Sequence, residues 1–225
     1  MTATTTISER LSAVRARIAA ACERAGRDPA DVTLVAVTKT HPIEVVSDAV
    51  EAGLTELGEN RAQEFVPKAE AADALRLTPN WHFIGHLQRN KVRQVLPHAA
   101  VLHSVNSERL IEEIERRATR PLACYLEVNV SGEESKAGIA PDALPSLLQA
   151  ASDATNVELA GLMTIAPRVD DPEQVRPVFQ RLGELAQSHG LAGLSMGMTD
   201  DYAVAIEEGA TIVRVGRAIF GDRRS

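Results

Sequence analysis

Short apolar runs alternate along the chain with segments whose apolar residues recur every three or four positions. The short runs predict strands and the wider spacing predicts amphipathic helices. The opening segment is helical: Leu11, Val14, Ile18, Ala21 and Cys22 share one face, and Ser8 is the expected cap. Gly26 and the pair Asp28-Pro29 mark its end. Eight apolar runs follow, over residues 32–38, 54–57, 82–84, 101–105, 124–130, 158–163, 193–196 and 211–215. Between them lie helical patterns over 43–52, 61–72, 89–96, 107–117, 141–152, 172–189 and 202–208, the fourth with Ser107 as its cap.

Strand and helix alternate through connections too short to separate domains. That order predicts a parallel sheet, and eight units favour closure. The expected fold is a single (β/α)8 TIM barrel with an additional N-terminal helix, one domain over residues 1–225. An open doubly wound sheet is the alternative, and the count of eight weighs against it.

Composition narrows the function classes. The net charge is -7, so there is no electrostatic case for nucleic acid or an anionic membrane, and an anionic ligand must be captured locally. Aromatic residues make up 3%, too few to support base stacking. The two cysteines, Cys22 and Cys124, are far apart and lack metal-ligand spacing; they read as small apolar residues in a reducing cytosol. No basic region followed by an apolar stretch opens the chain, and no run approaches a membrane span, so a cytoplasmic protein, acting as a monomer, is expected.

Barrels of this kind carry their chemistry at the C-terminal ends of the strands. At the first such end stands Lys39, on the same strand face as Val35 and Val37. A lysine in a partly dry pocket loses its proton more easily and becomes a nucleophile. The chemistry that asks for this is a Schiff base with a carbonyl compound or with pyridoxal phosphate. The bland alternative is a lysine snorkelling out at a strand end.

The last two strand ends read as a phosphate cradle. Ser195 offers a hydroxyl, followed by Met196 and Gly197, and Gly216-Arg217 opens a short helix whose N–H groups suit an anion. Arg214 shares a face with Ile212 and Gly216. Facing a pyridine nitrogen, it would donate a hydrogen bond and keep that nitrogen unprotonated; otherwise it pairs with a carboxylate such as Glu127. Asn60 and His86 are read as contacts to a ring or substrate. His82 and His86 lie four apart across a strand end without a third ligand, so no metal is expected. No nucleophile elbow and no Walker loop occurs.

These residues fall in five ordered motifs: Val35-Ala-Val-Thr-Lys-Thr40, Leu57-Gly-Glu-Asn-Arg61, Trp81-His-Phe-Ile-Gly-His-Leu-Gln88, Leu194-Ser-Met-Gly-Met198 and Val213-Arg-Val-Gly-Arg-Ala-Ile-Phe-Gly221. Over nearly its whole length the chain resembles the YggS/PROSC family of pyridoxal phosphate homeostasis proteins. The resemblance implies a fold like the N-terminal barrel of alanine racemase, with pyridoxal 5′-phosphate on Lys39. It implies phosphate contacts from Ser195 and the Gly216-Arg217 backbone, and Arg214 at the pyridine nitrogen. Thr199 departs from the family's usual serine but keeps the hydroxyl.

Alanine racemase adds a β-rich domain that supplies a catalytic tyrosine from a partner subunit. Here the only tyrosines are Tyr125, inside the fifth strand, and Tyr202, in the last helical pattern. The implied role is therefore holding, buffering and passing on the cofactor to pyridoxal-phosphate-dependent apo-enzymes, with no catalytic residue assigned. The alternative is a small pyridoxal-dependent racemase or lyase with Lys39 as base.

Overall fold

The computed structural model describes residues 6–133 and 136–221. Eight strands, β1 Thr33–Val37, β2 Glu56–Glu59, β3 Asn80–Phe83, β4 Val101–Val105, β5 Leu122–Glu127, β6 Val157–Met163, β7 Gly193–Met198 and β8 Ile212–Val215, form a closed barrel in chain order. Each pairs in parallel with the next, and β8 returns to β1 with Arg214 in register with Val35. The expected TIM-like barrel with a leading helix is the architecture found, and the open sheet is excluded by that last pairing.

Helix α1, Ile7–Arg24, precedes the barrel, and α2 Ile43–Glu51, α3 Ala62–Ala74, α4 Val92–Val95, α5 Glu108–Arg117, α6 Leu144–Asp153, α7 Arg176–Ser188, α8 Tyr202–Glu207 and α9 Arg217–Phe220 follow successive strands. The cap of α1 is Thr6 and not Ser8. Thr6 has extended backbone, its hydroxyl accepts the Glu9 N–H at 3.2 Å, and the Glu9 carboxylate accepts the Thr6 N–H at 2.8 Å. This reciprocal box satisfies two backbone donors at once, which a cap at Ser8 could not do with a glutamate one residue on. Ser107 caps α5 as expected. The patterns beginning at Pro141 and Pro172 each open with a 3-10 turn before the helix proper.

Alternation along the strands sorts side chains to two sides of the wall. Outward residues, among them Ala36, Leu57, Trp81, Phe83, Leu102 and Val213, are buried against the helices. Phe65 of α3 meets the Trp81 ring edge-on at 5.7 Å and lies 5.7 Å from the Phe83 ring. Inward, Val35, Tyr125, Met163 and Ile212 make a small separate apolar cluster. Strand β2 begins and ends two residues later than the sequence pattern suggests. Gly58 stays in the ladder, in register with Val37, and faces inward where there is no room for a side chain: a Cβ would stand 2.9 Å from Val35 Cγ1.

Both cysteines are buried and free, and burial pushes the Cys124 thiol up to about 12, as small apolar residues would have it. No helix among the described residues is long and apolar enough to cross a membrane.

Candidate functional site

The chain around Lys39 is fixed from both sides. The preceding residue, Thr38, donates its N–H to Gly58 O at 3.0 Å and its hydroxyl to Glu59 Oε1 at 2.7 Å, and its carbonyl accepts from Lys68 Nζ at 2.9 Å. Lys68 and Glu59 form a buried ion pair behind the strand. Burial pushes the Glu59 carboxyl up, and the Lys68 ammonium pulls it back down. On the other side, Thr40 holds a left-handed φ of 66°, an outlier for a β-branched residue, with its N–H on Glu64 Oε2 at 2.8 Å. Strain of this kind persists only where neighbours over-determine it. Here it turns the chain sharply just past Lys39, which is half-buried at the mouth.

Arg214 lies deeper. It pairs in register with Val35, four residues before Lys39, and is 4% exposed. Its guanidinium donates to Ser195 Oγ at 2.6 Å and to Thr164 O at 3.0 Å. Burial pulls its pKa down to about 10, while the Asp201 and Glu127 carboxylates act in the other direction. At neutral pH it therefore keeps its charge. Glu127 is hydrogen-bonded by Asn106 at 3.1 Å and reaches Arg214 only through space, so the direct pairing weighed from sequence is not formed.

The cradle residues divide. Gly216 packs against β1, where a Cβ would sit 3.1 Å from Val37 O, and its N–H donates to Thr199 Oγ1 at 3.4 Å. Arg217 is exposed at the start of α9 and its side chain pairs with Asp200 at 2.5 Å. Ser195, expected beside them, sits below: fully buried, its hydroxyl is shared between Arg214 and His103 Nδ1, the latter at 2.7 Å. The strand alternation turns Ser195 inward, and a register shift separates it from Met198, the partner of Arg214. Met196 is fully buried in the outer layer, among the helices, so its side chain faces away from the mouth.

Asn60 and His86 come together at the upper rim. With Arg61, Glu64, Gln88 and Lys91 they line a cavity of about 460 Å³. Among the described residues no group of three or more histidine, cysteine or acidic side chains could hold a metal. Sequence reasoning missed His103 and undervalued Thr199. Both fall on positions that strand alternation and the strand-end rule could have flagged. Tyr125 lies inside the barrel, stacked on His103 at 5.1 Å and 19°, and Tyr202 is buried with Arg17 over its ring at 4.9 Å.

A half-buried lysine, a buried arginine below it and a glycine-lined backbone with a threonine hydroxyl make a mouth suited to an aldehyde-bearing, phosphorylated aromatic ring. Residues 10–224 match the alanine racemase N-terminal domain family, a class of barrels. The pyridoxal phosphate homeostasis protein of Aquifex aeolicus is 45% identical over 96% of this chain and 98% of its own length. That of Pseudomonas aeruginosa is 46% identical over 97% and 96%. PipY of Synechococcus elongatus, solved with pyridoxal phosphate bound, superposes with a TM-score of 0.84 at 33% identity, covering 96% of this chain and all of that one. The chain belongs to the family of pyridoxal phosphate homeostasis proteins.

Proposed function

We propose that this chain binds pyridoxal 5′-phosphate as a Schiff base on Lys39 and holds it for release to apo-enzymes. The observation that carries the reading is the clamp on Lys39: a lysine set between three-sided Thr38 and left-handed Thr40, above a buried Arg214 on the neighbouring strand. When bound, the cofactor supplies an aldehyde whose bond to an amine is reversible, which suits storage and release.

The residues present fit that group. Lys39 meets the aldehyde carbon. Arg214 donates to the ring nitrogen and, as a cation with no acceptor, opposes protonation there. An unprotonated ring is a weaker electron sink, which favours holding over turnover. Gly216 and Arg217 offer backbone N–H groups to the phosphate, that of Gly216 by giving up its long 3.4 Å contact with Thr199 Oγ1. The hydroxyl that joins them is that of Thr199, since the Ser195 hydroxyl is occupied lower down. Asn60 and His86 border the upper rim, through which an acceptor would approach, and Met196 contributes backbone alone.

The test is transfer. Loaded protein, mixed with a pyridoxal-phosphate-dependent apo-enzyme, should activate it faster than free cofactor supplied at the same free concentration. Alanine and serine should show no sustained turnover. Turnover of roughly 1–1000 per second, the range of dedicated enzymes, would overturn the carrier reading in favour of a racemase or lyase.

A further inference from the structure

Below Arg214 the barrel interior holds polar side chains that binding at the mouth does not require. They form one unbroken line. Arg214 Nη1 donates to Ser195 Oγ at 2.6 Å, and Ser195 Oγ lies 2.7 Å from His103 Nδ1. His103 Nε2 lies 2.8 Å from His82 Nδ1, and His82 Nε2 lies 2.8 Å from Glu56 Oε2. The line descends strand by strand from β8 through β7, β4 and β3 to the first residue of β2. Ser195, His103, His82 and Arg214 are all buried, whereas the Glu56 side chain is 25% exposed. Glu56 also lines a cavity of about 450 Å³ at the lower mouth, with Arg15, Thr33 and Thr55. Solvent therefore reaches one end and the Arg214 guanidinium closes the other.

The two ends dictate the direction of every hydrogen bond between them. A guanidinium can only donate, and a carboxylate can only accept. Ser195 accepts from Arg214, so its single hydrogen goes to His103 Nδ1. His103 must then carry its proton on Nε2 and donate to His82 Nδ1. His82 in turn carries its proton on Nε2 and donates to Glu56. Both rings are neutral in this arrangement. Burial first, with the Arg214 guanidinium acting in the same direction, holds the His103 pKa well below the usual imidazole range, and the His82 hydrogen bond lowers that of Glu56. Reversing the line would need an extra proton on the histidine pair and would aim two donors at Ser195.

We propose that Glu56, His82, His103 and Ser195 are positioning residues: a through-barrel hydrogen-bond line that fixes Arg214 as a donor toward the upper mouth and couples the ligand's ring to the charge at the lower mouth. This rests on the reading of the mouth as a pyridoxal phosphate site. The groups that face the line are Tyr125, stacked on His103, and Glu127 and Asp201, which act on Arg214. Replacing Glu56 by glutamine puts a group that can accept or donate where one could only accept, so this end no longer dictates the direction of the line, and loss of the charge makes the interior more positive.

The experiment has one arm without cofactor and one with it. Nitrogen-15 NMR of the cofactor-free chain should show His103 and His82 neutral, each protonated on Nε2. In the loaded protein, Glu56→Gln should move the pH midpoint of the visible absorption band toward acid by roughly half a pH unit or more. Glu113→Gln, the same charge change on the outer face of α5, should leave it in place. Ser195→Ala should reproduce the spectral change and Ser195→Thr should restore the wild-type profile; if Ser195→Ala fails to fold, the Glu56 and NMR arms still decide. A wild-type midpoint in Glu56→Gln, or a proton on Nδ1 of His103, would overturn the proposal. Lack of any visible band in the wild type would instead sink the cofactor reading, and the NMR arm would still report on the line.

Discussion

The outward face of the barrel wall and its inward face are built from the same eight strands and carry opposite chemistry. Outward, Leu57, Trp81, Phe83, Leu102 and Val213 pack against helices, and stability comes from removing apolar surface from water. Inward, Val35, Tyr125, Met163 and Ile212 form a small apolar cluster with Val101 and Ala160 against it, and Glu56, His82, His103, Ser195 and Arg214 share the middle and lower levels. Burying such groups costs free energy unless each is hydrogen-bonded, and barrel interiors are more usually filled with branched apolar side chains. The difference teaches that the outer layer holds the barrel together by apolar burial, whereas the polar groups of the inner layer meet the cost of burial by hydrogen-bonding to one another.

Breaking the outer layer should have the largest effect on stability. Phe65 is fully buried between Trp81 and Phe83, so Phe65→Ala should cost about 3–5 kcal/mol in denaturant unfolding. The pH midpoint of the ligand band should not move. A loss below about 1 kcal/mol would show that the shell repacks freely and that the contrast between the faces is weaker than drawn.

A second comparison sets the mouth against the interior through two hydroxyls. With Thr199 at the phosphate, as proposed, Thr199→Val would remove a hydrogen bond to a charged group, worth about 1.5–3 kcal/mol. Affinity for pyridoxal phosphate should fall roughly tenfold to a hundredfold, with affinity for unphosphorylated pyridoxal unchanged. Ser195→Ala acts through Arg214 and should weaken both ligands alike. A selective loss of the phosphorylated ligand in Ser195→Ala would return Ser195 to the phosphate.

The smallest effect concerns pH. His103 titrates near 6.5 when unfolded and is held well below that in the fold by burial. Below pH 6.5 the unfolded chain therefore binds a proton that the folded chain refuses, and stability falls as pH falls. The slope from this one group is at most about 1.4 kcal/mol per pH unit. His103→Gln should flatten the decline between pH 6.5 and 5 in urea titrations. An unchanged slope would mean that His103 already carries its proton in the fold.

Much of this could be read from the chain. The eight units, the strand-end position of Lys39 and the alternation that places Arg214 inward are local properties, visible in residues one or two apart. The Thr6 cap and the bounds of β2 differ from the pattern because Ser8 is as good a capping type as Thr6, and because the apolar run ends at Leu57 while the strand continues through Gly58 and the buried Glu59. The strand-end rule and the family resemblance put Ser195 at the phosphate with Met196 beside it, but the strand turns one side chain inward beneath Arg214 and the other into the helical layer. The line from Glu56 to Arg214 was not legible. Each member shows an inward parity, yet which residues on different strands come level depends on the stagger of the closed barrel, and no single strand encodes that.

The central claim is that Lys39 carries the cofactor, and reductive trapping tests it most directly. Protein loaded with pyridoxal phosphate, reduced with borohydride and digested, should carry the added cofactor mass on the peptide containing Lys39. Lys39→Ala should remain folded and colourless. Label found chiefly on another lysine, such as Lys91 or Lys136, or a Lys39→Ala protein that keeps the visible band, would contradict the account.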